Sequence, residues 1–314
     1  MSSRIRSLSG NPGRRYQLLF LLALLLLPVA AMSAQTSQQL EVVASSSSTG
    51  ALVRELGGEQ VRLTILAPPD RDLHQLQARP GMMRALRRAD LVTSLGADLE
   101  IGWLPVAIRQ SANPAILPGR PGYFEAAAHV TLQDAHGIAD RALGDVHPLG
   151  NPHINMDPER MATVATALAA RLSQLDPANG KLYAERARDF SARVAARMKT
   201  WREGVDPELT AVLYHRDAKY LLDLLDVPLL GLLEPVPGVP PSGTHIRALN
   251  ERLEGQHGII LYTPYQPDNP PRALARASGW RTVKLPLEPP LDADGDAYLA
   301  HMDRWVDALS GPAE

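Results

Sequence analysis

The hydrophobic pattern of the chain opens with a run that has no period. Residues 18–27 (LLFLLALLLL) carry no polar side chain. Arg4, Arg6, Arg14 and Arg15 precede this run without any acid, and Pro28 followed by the small residues Ala30, Ala31, Ser33 and Ala34 comes after it. Charged region, apolar region and small residues follow in the order of a secretory signal peptide. The run is short for a bilayer span, which needs about 20 apolar residues. A cleaved leader over residues 1–34 is therefore expected.

Beyond it the pattern alternates between two periods. Residues 39–44 (QLEVVA) and 61–67 (VRLTILA) alternate as strands do, and 91–94 is a third short strand. Residues 51–56, 80–89 and 101–110 have helical spacing, with Trp103 as an anchor. Asp157-Pro158 is a strong helix start, a capping side chain followed by Pro at the first helical position. That helix is predicted to run to about residue 175. Asp176-Pro177 repeats the signal, and Leu182, Arg186, Phe190, Val194, Met198 and Trp201 then recur at helical spacing. One helix over 177–201 is predicted, roughly 37 Å long at 1.5 Å per residue. After it strands at 209–214, 229–233, 258–262 and 282–287 alternate with helices at 218–225, 244–253, 272–278 and 297–309. Strand–helix alternation on both sides of a long helix predicts two α/β lobes with parallel sheets, joined by a rigid backbone helix. The expected division is an N-terminal lobe over 35–175, a linking helix over 176–203 and a C-terminal lobe over 204–314.

Composition narrows the chemistry. The 314 residues include 32 basic and 34 acidic side chains, nine histidines and no cysteine. Removing the leader leaves 28 basic and 34 acidic residues, so the mature chain is acidic and no nucleic-acid partner is expected. Without cysteine there is no disulfide, thiolate metal site or cysteine nucleophile, and no residue after the leader to carry a lipid anchor. Any metal must be held by histidine and carboxylate.

The histidines stand at 74, 129, 136, 147, 153, 215, 245, 257 and 301. His74 follows the second strand, His153 lies just before the Asp157 cap, and His215 ends the strand at 209–214. Ligands of open α/β sheets bind beyond the carboxyl ends of the strands, so these three can meet only in the cleft between lobes. His147, in the same Pro/Gly loop as His153, reads as a residue just outside the ligand shell or as an alternative ligand. His245 reads as structural, and His129, His136, His257 and His301 as surface residues. Asp157 reads as a cap, Glu100 as structural, and Glu234 either as a cleft residue or as a bond between lobes.

The stretches APPDRDLHQLQARP, ADLVTSLGADLEIGWLP, GDVHPLGNPHINMDP, YHRDAKYL and LEPVPGVPPSGTHI, with the long helix after DPANGKLYAERA, follow one another in family order. On these residues the chain resembles the cluster A-I periplasmic solute-binding proteins of zinc/manganese ABC transporters. The resemblance implies a carrier rather than an enzyme, with one metal between the lobes and His74, His153 and His215 as three ligands. In the family, histidine at the third position goes with zinc and a carboxylate with manganese. The fourth ligand, usually an aspartate, falls in KLPLEPPLDADGDAYL. Glu288 is nearest in position, Asp292, Asp294 and Asp296 are alternatives, and three histidines plus water is the remaining arrangement.

The expectation is thus capture of Zn2+ in the periplasm as cargo, Mn2+ or iron being the second choice. Delivery to a membrane permease follows from the resemblance, with a periplasmic metallochaperone as a further candidate partner; the protein is expected to be a monomer and, without a cysteine after the leader, unanchored. A three-histidine zinc hydrolase is the competing class. It lacks a HExxH helix motif or an evident general base beside the histidines. Surface adhesion, a role some relatives have, is opposed by the missing lipid site.

Overall fold

The computed structural model describes residues 39–135, 147–236 and 238–310. The expected leader and His136 lie outside them. The first sheet is built from β1 (Leu40–Ala44), β2 (Val61–Ile65), β3 (Leu91–Ser94) and β4 (Tyr123–Glu125), with α1 (Ser47–Gly57), α2 (Pro80–Arg87) and α3 (Leu104–Ser111) among them. Two long helices follow, α4 (Pro158–Leu175) and α5 (Gly180–Gly204). The second sheet has β5 (Thr210–Leu213), β6 (Leu229–Leu232), β7 (Gly258–Tyr262) and β8 (Arg281–Lys284), interleaved with α6 (Lys219–Leu224), α7 (Gly243–Arg252) and α8 (Asn269–Ser278). Helix α9 (Gly295–Leu309) closes the described chain.

Both sheets are parallel and share one topology, β2-β1-β3-β4 and β6-β5-β7-β8. The central strands β3 and β7 are buried throughout, and β7 (GIILY) accordingly reads as a continuous apolar run. In each sheet the chain leaves the first strand to one side and returns on the other, so a crevice forms at the carboxyl ends of the central strands. The two-lobe α/β architecture expected from the strand–helix alternation is present, and so is the long helix.

Local chemistry sets the boundaries. Ser46 Oγ accepts from Thr49 N at the start of α1, and Asp157 accepts from Arg160 N at 2.9 Å at the start of α4. Asp294 caps α9 through Ala297 N at 2.9 Å. Helix α3 begins at Leu104, not at 101, because Pro105 fits the first turn and residues 98–103 form turns before it. The strand expected over 282–287 stops at Lys284. Strand β4 carries no sequence forecast, since three residues (YFE) are too few to show a period.

One apolar core runs through both lobes and takes in Tyr183, Phe190, Val194 and Trp201 from α5. A second cluster, with Val212, Tyr262 and Trp280, covers the other face of the second sheet. Helix α5 is fastened at several points: Arg186 Nη1 donates to Leu56 O at 2.9 Å, Arg193 pairs with Glu55 and Asp296, and Trp201 Nε1 donates to Asp303 at 2.8 Å. Helix α9 packs on α1 and α5 and also receives Arg281 of β8 at its Ala308 carbonyl.

Phe190 is fully buried, its ring 6.2 Å from that of Tyr298. Phe190→Ala is expected to lower stability by about 3–5 kcal/mol. Denaturant unfolding should show an earlier midpoint with an unchanged slope.

Candidate metal centre

His74 sits on a short 3-10 turn, Leu73–Gln75, in the loop after β2. Asp72 accepts from the His74 backbone N–H at 2.9 Å and from its Nδ1–H at 2.7 Å. With Nδ1 committed, Nε2 keeps its lone pair and points away from the carboxylate. Trp103, fully buried, donates from Nε1 to the Leu73 carbonyl at 2.9 Å and holds the turn from below.

His215 follows β5 and repeats the arrangement in the other lobe. Its Nδ1–H donates to Glu234 Oε2 at 2.7 Å, and Glu234 Oε1 accepts from Gly238 N at 2.8 Å. Glu234 therefore lines the cleft and positions His215; the alternative of a bond between lobes is not what the structure shows. His153 comes from the segment leading into α4. Its backbone N–H donates to Asn151 Oδ1 at 3.0 Å, and Asn151 is held in turn by Tyr220 and by the Arg216 carbonyl.

The three imidazoles converge. One donor atom from each of His74, His153 and His215 lies within 4.8 Å of the others. Their ring centroids are 5.2, 5.4 and 5.6 Å apart. His153 is 3 % exposed, yet neither ring nitrogen has a hydrogen-bond partner. A buried polar group left so is costly, and a cation shared with His74 and His215 would take up the lone pair of one of the two nitrogens. His147 touches the group, its Nε2 at 3.0 Å from His74 Nε2. A cavity of about 200 Å³ opens beside the cluster, lined by Asp72, His74, Tyr214, His215, Glu234 and Tyr265 among others.

Glu288 does not join them. Its Oε2 accepts from Ser48 N at 2.7 Å, Ser48 Oγ at 2.9 Å and Ser47 Oγ at 3.1 Å, and its Oε1 from Asn155 Nδ2 at 3.1 Å. The carboxylate is turned to the N-terminus of α1, where the first helical N–H groups need an acceptor. Asp292, Asp294 and Asp296 are exposed, Asp294 as the α9 cap and Asp296 as the partner of Arg193. Glu100 is buried and structural, accepting from Ser45 Oγ and from the Leu95 and Gly96 N–H groups. His301, expected at the surface, is 3 % exposed and donates from Nε2 to the Leu287 carbonyl. The helical spacing of α9 carries it to the face it shares with Met302 and Trp305. His245 is half-buried and bonds the Leu232 carbonyl at 2.9 Å. His129 and His257 are exposed.

Charge at the cluster is uneven. Burial, then the neighbouring imidazoles, pushes His153 well below the usual histidine range and His147 down to about 3. His215 moves the other way: burial opposes its charge, but the Glu234 hydrogen bond and the nearby Asp217 and Asp72 outweigh it. Burial lifts Glu288 to about 7 against its hydrogen bonds. Sequence reasoning missed Asp72 and Trp103 as supports of His74. The available signal was an acid two residues before a histidine at a strand's end.

Two α/β lobes closing on a group of imidazoles define a metal-binding, substrate-binding protein of the ABC-transporter class. The sequence model of the family described as "Zinc-uptake complex component A periplasmic" matches residues 42–311, and the chain belongs to that family. Its members are the substrate-binding components of ABC transporters, which work with a membrane permease and ATPase, and are not enzymes. The metal ABC transporter substrate-binding lipoprotein SloC of Streptococcus mutans is 22 % identical over 315 aligned positions, 95 % of this chain and 98 % of SloC. ScbA of Streptococcus cristatus is 24 % identical over 199 positions, 60 % of this chain but only 61 % of ScbA. The crystal structure of ZnuA superposes with a TM-score of 0.70 at 19 % identity, over 87 % of this chain and all of that one. FpvC from Pseudomonas aeruginosa in complex with Mn2+ gives 0.72 at 20 % identity, over 87 % and 97 %.

Removing a carboxylate behind a ligating histidine typically lowers metal affinity 10–100-fold. Asp72→Asn and Glu234→Gln are each expected to weaken metal binding by roughly that factor in a chelator competition assay.

Proposed function

We propose that this chain captures Zn2+ in the periplasm and hands it to the permease of an ABC transporter, with His74, His153 and His215 as ligands. The observation that carries this reading is His153, buried between two oriented imidazoles with both ring nitrogens unpartnered. Three neutral imidazoles leave the cation's +2 charge uncompensated in the inner shell. Asp72 and Glu234, one bond behind the rings, supply the opposite charge. Imidazole suits zinc, whereas manganese favours carboxylate, carbonyl and water.

A manganese reading has its own support. The relative scaA of Streptococcus gordonii is named for manganese, and FpvC has been crystallised with Mn2+ and with Ni2+. The reading of residues 1–34 as a leader places the protein in the periplasm. Among the described residues no helix is long and apolar enough to cross a membrane. Two of the relatives above are named as lipoproteins, and this chain has no cysteine; we read it as monomeric.

Calorimetric titration is expected to give one tightly bound zinc per chain. Zinc should displace manganese in direct competition, and His153→Ala should abolish the tight site. Manganese displacing zinc would establish the second reading, and a wild-type protein without a tight site would overturn both.

A ring must be unprotonated to donate to a metal. His153 and His147 stay neutral in the working range, each with one nitrogen free to donate, because burial keeps both low. His215 is the ring whose proton competes, since its affinity for protons is raised. Zinc affinity is therefore expected to fall as pH drops from 7.5 to 5.5. Glu234→Gln should move that fall to lower pH. An affinity flat across this range would mean that histidines are not the principal ligands.

A further inference from the structure

We propose that His147 is a fourth ligand, so that the cation sits among four imidazoles with no carboxylate in its inner shell. The cargo is then a nitrogen-preferring divalent cation of the zinc, nickel and cobalt kind. The proposal rests on the metal-capture reading and extends it.

The position of His147 is fixed by its backbone. Gly150 N donates to His147 O at 3.1 Å, closing a turn with Pro148 at its second position. Gly150 has φ +124°, and a Cβ there would stand 2.6 Å from Leu132 Cβ and 2.7 Å from Gln133 O. Asn151 N donates to that same Gln133 carbonyl at 2.7 Å. The turn between His147 and His153 is thus pressed onto residues 132–133, and both rings are delivered from it to one place.

The ring geometry fits a shared cation. His74 has given its Nδ1–H to Asp72, so its Nε2 offers a lone pair, and His147 Nε2 faces it at 3.0 Å. Two nitrogens on a tetrahedral zinc, each about 2.0–2.1 Å from the metal, lie about 3.3 Å apart. The same geometry puts imidazole centroids about 5.2 Å apart. The pairs His74–His147, His74–His153, His153–His215 and His74–His215 are at 5.1, 5.2, 5.4 and 5.6 Å. His147–His153, at 6.4 Å, needs to close by about an ångström.

The carboxylates nearby are already engaged. Asp72 and Glu234 hold histidine Nδ1 atoms, Asp217 accepts from Ala218 N and Gln266 Nε2, and Glu288 accepts at both oxygens. Among the described residues the group of converging donors is His74, His153 and His215, histidine alone, and His147 must draw in from its place against His74 to join it. A fourth imidazole adds no charge and keeps the shell all nitrogen, which disfavours Mn2+.

The test uses the mature chain, zinc alone as the probe, and two measurements. X-ray absorption at the zinc edge counts imidazoles, and chelator competition gives affinity. Four imidazoles are expected in the wild type and three in His147→Ala. The affinity loss should exceed the roughly 100-fold upper bound for a residue acting from behind the ligands. The preference for zinc over manganese should narrow in His147→Asp. If His147→Ala fails to fold, His147→Gln, which keeps the bulk but not the ligating nitrogen, should show the same loss. Three imidazoles plus oxygen in the wild type, or a loss under tenfold, would overturn the proposal. A wild type that binds no zinc, or one indifferent to His153→Ala, would sink the capture reading itself.

Discussion

The site depends on two hydrogen bonds of one kind, a carboxylate holding the Nδ1–H of an imidazole. Asp72 does this for His74 in the first lobe and Glu234 for His215 in the second. Each bond settles which nitrogen carries the proton, and with it which lone pair faces inward. Rings that converge this closely would repel one another if charged. Burial keeps His147 and His153 neutral, and the two carboxylates face the charge that remains. The fold places these pairs where it does because each follows a strand at its carboxyl end. Duplicated parallel sheets turn the same end toward one cleft.

Around this pairing the rest of the molecule acts as scaffolding. Trp103 fastens the His74 turn through a single carbonyl. Tyr220 and the Arg216 carbonyl, from the second lobe, fasten Asn151 and with it the approach to His153. Helix α5 runs alongside, tied to α1 by Arg186 and Arg193 and to α9 by Arg193 and Trp201. Exposed ion pairs of this sort contribute little singly. The apolar stripe of α5 carries the weight, since it is continuous with the core of both lobes.

Much of this was legible in the chain. Period-two runs marked the buried strands, and Asp157-Pro158 marked the start of α4, because caps and alternation are local. The convergence of His74, His153 and His215 followed from strand ends, and their donors do come together. Long-range pairings were not legible. Glu288 lies close in sequence to the expected fourth position, but three donors at the start of α1, some 240 residues away, claim it. His301 has a polar name and an apolar address, which only the packing of α9 reveals. Strand β4 is too short to announce itself and forms because β3 offers an open edge.

The seat taken by Glu288 has a thermodynamic corollary. It comes from the segment after β8 and plugs the beginning of α1, so the two lobes are joined there by their own side chains. Prising them apart would exchange these hydrogen bonds for bonds to water, at a net cost of about 0.5–1.5 kcal/mol each. The cleft is thus shaped by the polypeptide beforehand, and an arriving cation buries little fresh apolar surface. Heat-capacity change, the robust mark of such burial, should accordingly be small on loading.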